Sequence, residues 1–292
     1  MNSVRLAALI LTRNEEADLP ACLSSLSGAA TEVYVIDSGS TDRTCEIARQ
    51  HGAQVLKHPF VNYAGQLNWA LKNINTSADW IIRIDADERL SEMLRTQLIT
   101  AVNRLPADVT GLEAPLRIRF LGRNLRFGHT YPIWLLRVWR NGCARCEDRQ
   151  MDEHMVLTHG ETRRLRGDLL HEIPKSLTDW TAKHNWYATR DCADISSSEP
   201  AEPPQGAAGT RRRLKQSVYL RLPLFHRAFA FWAYRYIFRL GFLDGKAGLI
   251  YHFLQGFWYR FLVDAKLYES QATMKADPSG APIIAHFPDR FL

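Results

Sequence analysis

The stretch Trp80-Ile81-Ile82-Arg83-Ile84-Asp85-Ala86-Asp87 decides the reading of this chain. Its first five residues predict a strand, and a strand apolar on both faces belongs inside a parallel sheet. Ligands of such sheets gather at the carboxyl ends of the strands. Side chains alternate along a strand, so Asp85 and Asp87 can share a side at that end. Two carboxylates there repel unless a cation or a basic side chain stands between them. Oxygen ligands suit Mg2+ or Mn2+, and such ions usually hold a substrate's phosphates as well. The spacing therefore points to a metal-bridged nucleoside diphosphate. A lone D-x-D also occurs in surface turns, so the surroundings have to decide.

Those surroundings alternate strand and helix through the first hundred residues. Short apolar runs predict strands over 4–11, 33–36, 54–56 and 80–84, and helical periodicity predicts helices over 17–27, 42–51, 63–74 and 91–103. Strands separated by helices in this way form βαβ units with right-handed crossovers. Ser91, with Leu94 and Leu98 behind it, is placed to cap the last helix, and Asp42 to cap the second. From Gly111 to about Gly167 the pattern turns aromatic and β-rich, with strands expected near 116–121, 133–140 and 155–158. This predicts a mixed sheet completing the same domain. A helix is expected over 177–196, with Trp180, His184, Tyr187 and Arg190 at helical spacing.

Three acidic strand ends converge under this topology. They are Thr12-Arg13-Asn14-Glu15, Asp37-Ser38-Gly39-Ser40-Thr41-Asp42 and Asp85-Ala86-Asp87-Glu88. In an open α/β sheet such ends line one crevice. Neither G-x-G-x-x-G nor G-x-x-x-x-G-K-[ST] occurs, which removes the dinucleotide and P-loop alternatives.

Composition bounds the rest. The 292 residues are 46% hydrophobic, enough for one large domain or a domain with an appendage. The net charge of +6 is uneven: residues 211–292 carry 13 Lys/Arg against 5 Asp/Glu, and the preceding part sums to −2. Residues 196–210 (SSSEPAEPPQGAAGT) read as a flexible linker. Beyond them lie helical stretches rich in Phe, Trp and Tyr, each interrupted by Arg or Lys, so that no uncharged run approaches the ~20 residues of a membrane span. Amphipathic helices lying in an anionic membrane surface are expected instead, and no nucleic-acid partner. The five scattered cysteines fit free thiols in a reducing compartment; zinc at Cys143 and Cys146 would need His154 or His159 as well. The apolar run 4–11 is too short and wrongly flanked for a signal peptide.

The segments LTRNEEADLPACLSSL, VYVIDSGSTDRTCEIA and DWIIRIDADERLS together resemble family 2 inverting glycosyltransferases of the GT-A fold. The nearest branch holds the lipopolysaccharide-core and exopolysaccharide glucosyltransferases. LGRNLRFGHTYPIWLLRVWRNGCAR, MDEHMVL, KHNWYATR and the tail RLGFLDGKAGLIYHFL extend the likeness. The resemblance implies an α/β, Rossmann-like, mostly parallel sheet over residues 1–195, followed by the linker and a C-terminal membrane-associating helical region over 211–292. It implies that Thr12, Asn14, Glu15 and Asp37 surround the nucleoside, that Asp85 lies near the ribose, and that Asp87 holds a divalent metal, Mn2+ or Mg2+. The general base would be an acid of MDEHMVL, Glu153 in preference to Asp152, with Glu147-Asp148 as a second possibility. His171, Lys183 and His184 would position phosphates or acceptor, unless they are structural hydrogen-bonders.

The activity so implied is metal-dependent transfer of a hexose, with inversion, from a nucleoside-diphosphate sugar resembling UDP-glucose. Its acceptor would be a membrane-associated glycan or lipid-linked intermediate of surface polysaccharide synthesis, met by a protein on the cytoplasmic face of the membrane. Two alternatives compete: a sugar nucleotidyltransferase, whose Gly-rich basic first loop is missing here, and a non-catalytic module tethering a synthesis complex to the membrane.

Overall fold

The computed structural model describes residues 4–147, 154–173, 176–196 and 217–276. It divides into two compact units, Met1–Arg119 with Tyr131–Ile173, and Phe120–Thr130 with Pro174–Leu292.

The first unit is built on β1 (Leu6–Thr12), α1 (Leu19–Leu26), β2 (Glu32–Asp37), α2 (Thr44–Gln50), β3 (Gln54–Lys57), α3 (Tyr63–Asn73) and β4 (Trp80–Asp85). The strands lie in the order β3-β2-β1-β4, all parallel. Alternate residues of β1 feed two separate cores, Leu6, Ala8 and Ile10 on one face and Ala7 and Leu9 on the other. A strand covered on both faces must be apolar throughout, which is why these runs do not alternate.

After β4 the chain reverses. The short β5 (Glu88–Leu90) leads into α4 (Glu92–Arg104), and β6 (Val109–Phe120) returns across the sheet. There follow β7 (Arg123–Asn124), β8 (Ile133–Arg140), β9 (Ala144–Cys146), β10 (Met155–Leu157), β11 (Glu161–Arg164) and β12 (Leu169–Ile173). β8 pairs antiparallel with β4, setting Trp80 opposite Arg140, and β6 pairs antiparallel with β8. β12 pairs antiparallel with β5, setting His171 opposite Glu88. The parallel nucleotide-type half thus continues into the mixed half that the aromatic pattern predicts. Trp80 and Trp139 are fully buried where the halves join. Each burial contributes about 2–3 kcal/mol.

Ser91 caps α4 as expected, its hydroxyl accepting from the Leu94 amide at 3.2 Å. α2 starts two residues later than its periodicity suggests. Asp42 Oδ1 accepts from the Thr44 amide at 3.0 Å and Oδ2 from the Glu16 amide at 3.2 Å, so its carboxylate ties two loops while serving the helix start.

Apart from residues 120–130, which hold β7, the regular elements of the second unit are helical among the described residues. α5 (Leu177–Ser196) packs with α8 (Tyr259–Ala276) around Ala188, Tyr259, Val263 and Leu267. α6 (His226–Ala233) passes into a π-helical turn, Tyr234–Phe238, and α7 (Gly245–Tyr251) reaches α8 through another, His252–Trp258. A buried ion pair ties α6 to α8, Arg227 Nε donating to Asp264 Oδ1 at 2.7 Å. Tyr259 donates to Asp191 at 3.0 Å between α8 and α5. No helix among the described residues is long and apolar enough to cross a membrane. Residues 197–210 of the expected linker lie outside the described residues.

Candidate active site

Strand register brings the acidic ends together. Thr12 lies beside Asp37, and Leu11 lies between Ile36 and Asp85. The residues read from three separate stretches therefore share one edge of the sheet.

Asp37 is buried and organises the turn behind it. Its carboxylate accepts from the Gly39 amide at 3.1 Å, the Ser40 amide at 3.0 Å and the Ser40 hydroxyl. Gly39 takes φ +98°, a backbone that only glycine adopts without strain. Asn14, with φ +53°, receives the Thr41 amide on its side-chain oxygen at 2.8 Å and gives its own amide to Ser40 Oγ at 2.9 Å. The Glu15 amide donates to Thr44 Oγ1 at 2.8 Å. The first and second strand-end loops are thus sewn together through backbone groups. The Thr12 hydroxyl, at the bottom of this edge, is buried and has no hydrogen-bond partner.

Asp85 and Asp87 sit in contrasting surroundings. Asp85 is clamped, with Arg83 Nε at 3.3 Å on one oxygen and Arg137 Nη2 at 3.2 Å on the other. Burial alone would raise its pKa; the Arg83 and Arg137 guanidiniums overcome that and hold it well below the usual carboxylate range. Arg137 also meets Glu88 at 2.5 Å, and Glu88 accepts the Asp85 amide at 3.0 Å. Glu88 is buried. Desolvation outweighs the attraction of Arg137 and, helped by repulsion from Asp85 and Asp87, pushes its pKa up to about 7. Asp87 instead faces His171, Oδ1 to Nδ1 at 3.5 Å, both side chains about a quarter exposed. Burial lowers the His171 pKa, but the Asp87 carboxylate, then Glu88 and Asp85, reverse this and raise it. Apart from this pairing with Asp87, the buried His171 Nδ1 has no hydrogen-bond partner among the described residues.

That nitrogen beside a carboxylate oxygen, once its proton is displaced, suits a hard or borderline divalent cation, which would take both as ligands and keep positions for phosphate oxygens and water. Among the described residues no group of three or more His, Cys, Asp and Glu side chains gathers for a metal, so these two would be the described residues' share. Cys143 and Cys146 are buried and in no disulfide, with Cys143 Sγ 3.4 Å from His159 Nε2.

Asp152, Glu153 and Asp148 lie outside the described residues. Glu147 is described: its amide donates to the His154 carbonyl at 3.0 Å, and its carboxylate receives the His154 amide at 3.3 Å. Arg140 turns away from the crevice, giving its guanidinium to the carbonyls of Val109 and Pro106 and stacking over Trp80. His184 is stacked on Trp180 at 3.5 Å, within the second unit. The sequence reading gives Arg83 no role and names Glu88 only as part of an acidic strand end. Arg83 meets Asp85 from two residues away, but Arg137 reaches Asp85 and Glu88 from 52 and 49 residues away, and Glu88 takes its character from burial.

The sequence pattern of glycosyl transferase family 2 matches residues 8–160, more than half of the chain. The chain belongs to this family. It is a glycosyltransferase, and its parallel sheet extended by antiparallel strands is the GT-A fold. Relatives of this transferase include a lipopolysaccharide core biosynthesis glycosyltransferase, LpsC, of Rhizobium meliloti, 29% identical across 96% of this chain and 98% of that one. An uncharacterized glycosyltransferase of Rickettsia bellii is 41% identical, across about a third of each chain (32% and 31%). Among solved structures, glucosyl-3-phosphoglycerate synthase of Mycobacterium tuberculosis, in complex with Mn2+, UDP and glucosyl-3-phosphoglycerate, is 24% identical. It covers 40% of this chain and 44% of its own, with a TM-score of 0.33.

Proposed function

We propose that this glycosyltransferase moves a hexose, with inversion, from a UDP-type donor to a membrane-associated glycan or lipid-linked acceptor in bacterial surface polysaccharide synthesis. The observation that carries the reading is the pairing of Asp87 with His171 Nδ1 at the sheet edge that Thr12, Asp37 and Asp85 share. The near-full-length likeness to a lipopolysaccharide core glycosyltransferase supports the choice of pathway class.

In this reading Asp37 and the Thr12 hydroxyl receive the nucleoside, with Asn14 and Glu15 holding the loop that flanks it. Asp85, clamped by Arg83 and Arg137, lies toward the ribose. Asp87 and His171 would hold Mn2+ or Mg2+, which would supply charge neutralisation for the departing diphosphate. Glu153, or Asp152, takes the proton of the acceptor hydroxyl as it attacks from the face opposite the diphosphate. A single displacement of this kind inverts the anomeric configuration. The protein works at the cytoplasmic face of the membrane; the five free cysteines and the basic aromatic C-terminal region support that location.

Thermal stabilisation by nucleotide sugars tests this directly, because a bound donor raises apparent stability by mass action. A UDP-hexose should raise the melting temperature only with Mn2+ or Mg2+ present, and a chelator should abolish the shift. Asp87→Ala and His171→Ala should lose the metal-dependent shift, whereas Glu153→Gln should keep it and lose transfer. Donor stabilisation undiminished in Asp87→Ala would overturn the assignment.

A further inference from the structure

The second unit carries an apolar protrusion that its own core does not use. Between α6 and α7 the chain turns through residues 237–243, where Phe238 is 76% exposed and Ile237, Leu240, Phe242 and Leu243 lie between 44% and 52%. Leu240 holds φ +59°, in the left-handed region, with its apolar side chain in solvent. The turn is nonetheless firmly built. Arg235 Nε donates to the Gly128 carbonyl at 2.7 Å, and the Gly128 amide donates to the Arg239 carbonyl at 2.8 Å. The Asp244 carboxylate receives the Arg126 and Phe127 amides at 3.1 and 3.0 Å. The buried His252 ring fills the space beside Gly128 and Gly241, where any Cβ would strike it. Residues 120–130 and the turn are therefore one rigid body.

Charge around it has a single sign. Across residues 120–130 and 217–263 there are eight Arg or Lys and one acid, Asp244. Asp244 is buried and already engaged. Arg123, Arg126, Arg239 and Lys246 are exposed, and none pairs with a described carboxylate. Arg123 Nη1 lies over Gly245, beside the turn. Soluble proteins seldom leave several large apolar side chains together in water, and a rim of unpaired cations selects an anionic partner surface.

We propose that residues 237–243 enter the interfacial layer of an anionic phospholipid bilayer, with Arg123, Arg126, Arg239 and Lys246 forming a collar at the headgroup phosphates. The proposal rests on the reading of a membrane-associated acceptor and names the element that docks. A protruding apolar turn suits a shallow seat of about 5–10 Å, the depth typical of interfacial insertion. Long arginine side chains reach from such a seat to the phosphates.

Sedimentation of the full chain with vesicles of phosphatidylcholine, with or without phosphatidylglycerol, tests it. The wild type should pellet with anionic vesicles and not with neutral ones. Ile237→Ser with Phe238→Ser and Leu243→Ser should weaken that binding by about tenfold or more. Arg123→Gln with Arg126→Gln and Arg239→Gln should weaken it by about fivefold per removed charge and flatten its salt dependence. Both sets change exposed side chains, and both should retain the donor-induced thermal shift. Vesicle binding by the wild type with no loss in either variant overturns this proposal while the membrane reading stands. A wild type that ignores anionic vesicles sinks both. Conversion of a dimer to a monomer by the serine variant, with vesicle binding unchanged, assigns the turn to a second copy of the chain and also overturns the proposal.

Discussion

In the first unit, charges of both signs are crowded at one sheet edge: Asp85, Asp87 and Glu88 against Arg83, Arg137 and His171. In the second unit charges are spread out: Arg227 pairs with the buried Asp264, and Arg260 and Arg235 lie over Phe231 at 5.2 and 5.6 Å. The histidines diverge in the same way. His171 is raised by its carboxylate neighbours, whereas burial pushes His184 down to about 4 and His252 to about 3. One unit sets charged groups face to face, and the other holds these two histidines neutral by burial. Facing charges are expected where a ligand binds, and neutral buried rings where packing is the purpose.

The sharpest break between the units should appear with Asp87→Ala. Transfer should fall by on the order of a hundredfold to a thousandfold, the usual cost of losing a group that stabilises developing charge. The melting temperature without donor should stay close to that of wild type, because Asp87 is partly exposed and closes no core. Activity measured per folded molecule, beside a thermal melt, separates the two quantities. A variant that unfolds would make Asp87 structural and erase the contrast.

The converse experiment is Asp264→Ala. Asp264 is 1% exposed, pairs with Arg227 and receives the Phe225 amide at 2.7 Å. Removing one partner of a buried pair leaves an uncompensated charge and costs about 3–5 kcal/mol. Denaturant unfolding should show that loss, while donor binding at low temperature persists. Donor binding lost in step with stability would show that the two units do not separate energetically.

Part of this contrast is legible in the amino-acid sequence alone. β1, β2 and β4 announce themselves as short apolar runs, Ser91 as a cap, and Thr12, Asp37 and Asp85 as strand ends that right-handed crossovers must bring to one side. Helix Leu177–Ser196 is bounded as its periodicity indicates. Two things stay hidden. β12 pairs with the three-residue β5 across some 80 positions, so the meeting of His171 with Asp87 has no local signature. Nor does composition distinguish Trp180, 6% exposed, from Phe238, 76% exposed, since both are aromatics at helical spacing. Exposure is decided by partners, which a one-dimensional pattern does not contain.

Acid should act on the second unit before it reaches the pair-rich first. An unfolded histidine titrates near 6.5, while His184 and His252 in the fold titrate near 4 and 3. The unfolded chain therefore binds more protons between those limits. Stability from both residues is fully present above pH 6.5 and is lost as pH falls toward 4. The melting temperature should drop by roughly 5–10 °C from pH 7 to pH 5. His184→Phe, which keeps a ring against Trp180, should remove part of that slope. A flat profile in the wild type would mean that water reaches both rings and that the second unit does not mute charge as described.

The smallest effect bears on how the polarised edge is held in register. Ser91 Oγ accepts from the Leu94 amide and also from the Asp168 amide at 2.9 Å, and the Ser91 amide donates to the Asp168 carbonyl at 3.0 Å. One residue thus ends β5, starts α4 and fixes the entry to β12, which carries His171. Ser91→Ala should cost about 1–2 kcal/mol, the loss of a cap together with an amide left without its acceptor. If the β5–β12 ladder holds without that hydroxyl, turnover of the folded enzyme should match wild type. A lowered metal affinity in Ser91→Ala, at unchanged donor affinity, would instead show that His171 is held to Asp87 through this cap. The polarised edge would then depend on a packing contact as fully as the second unit does.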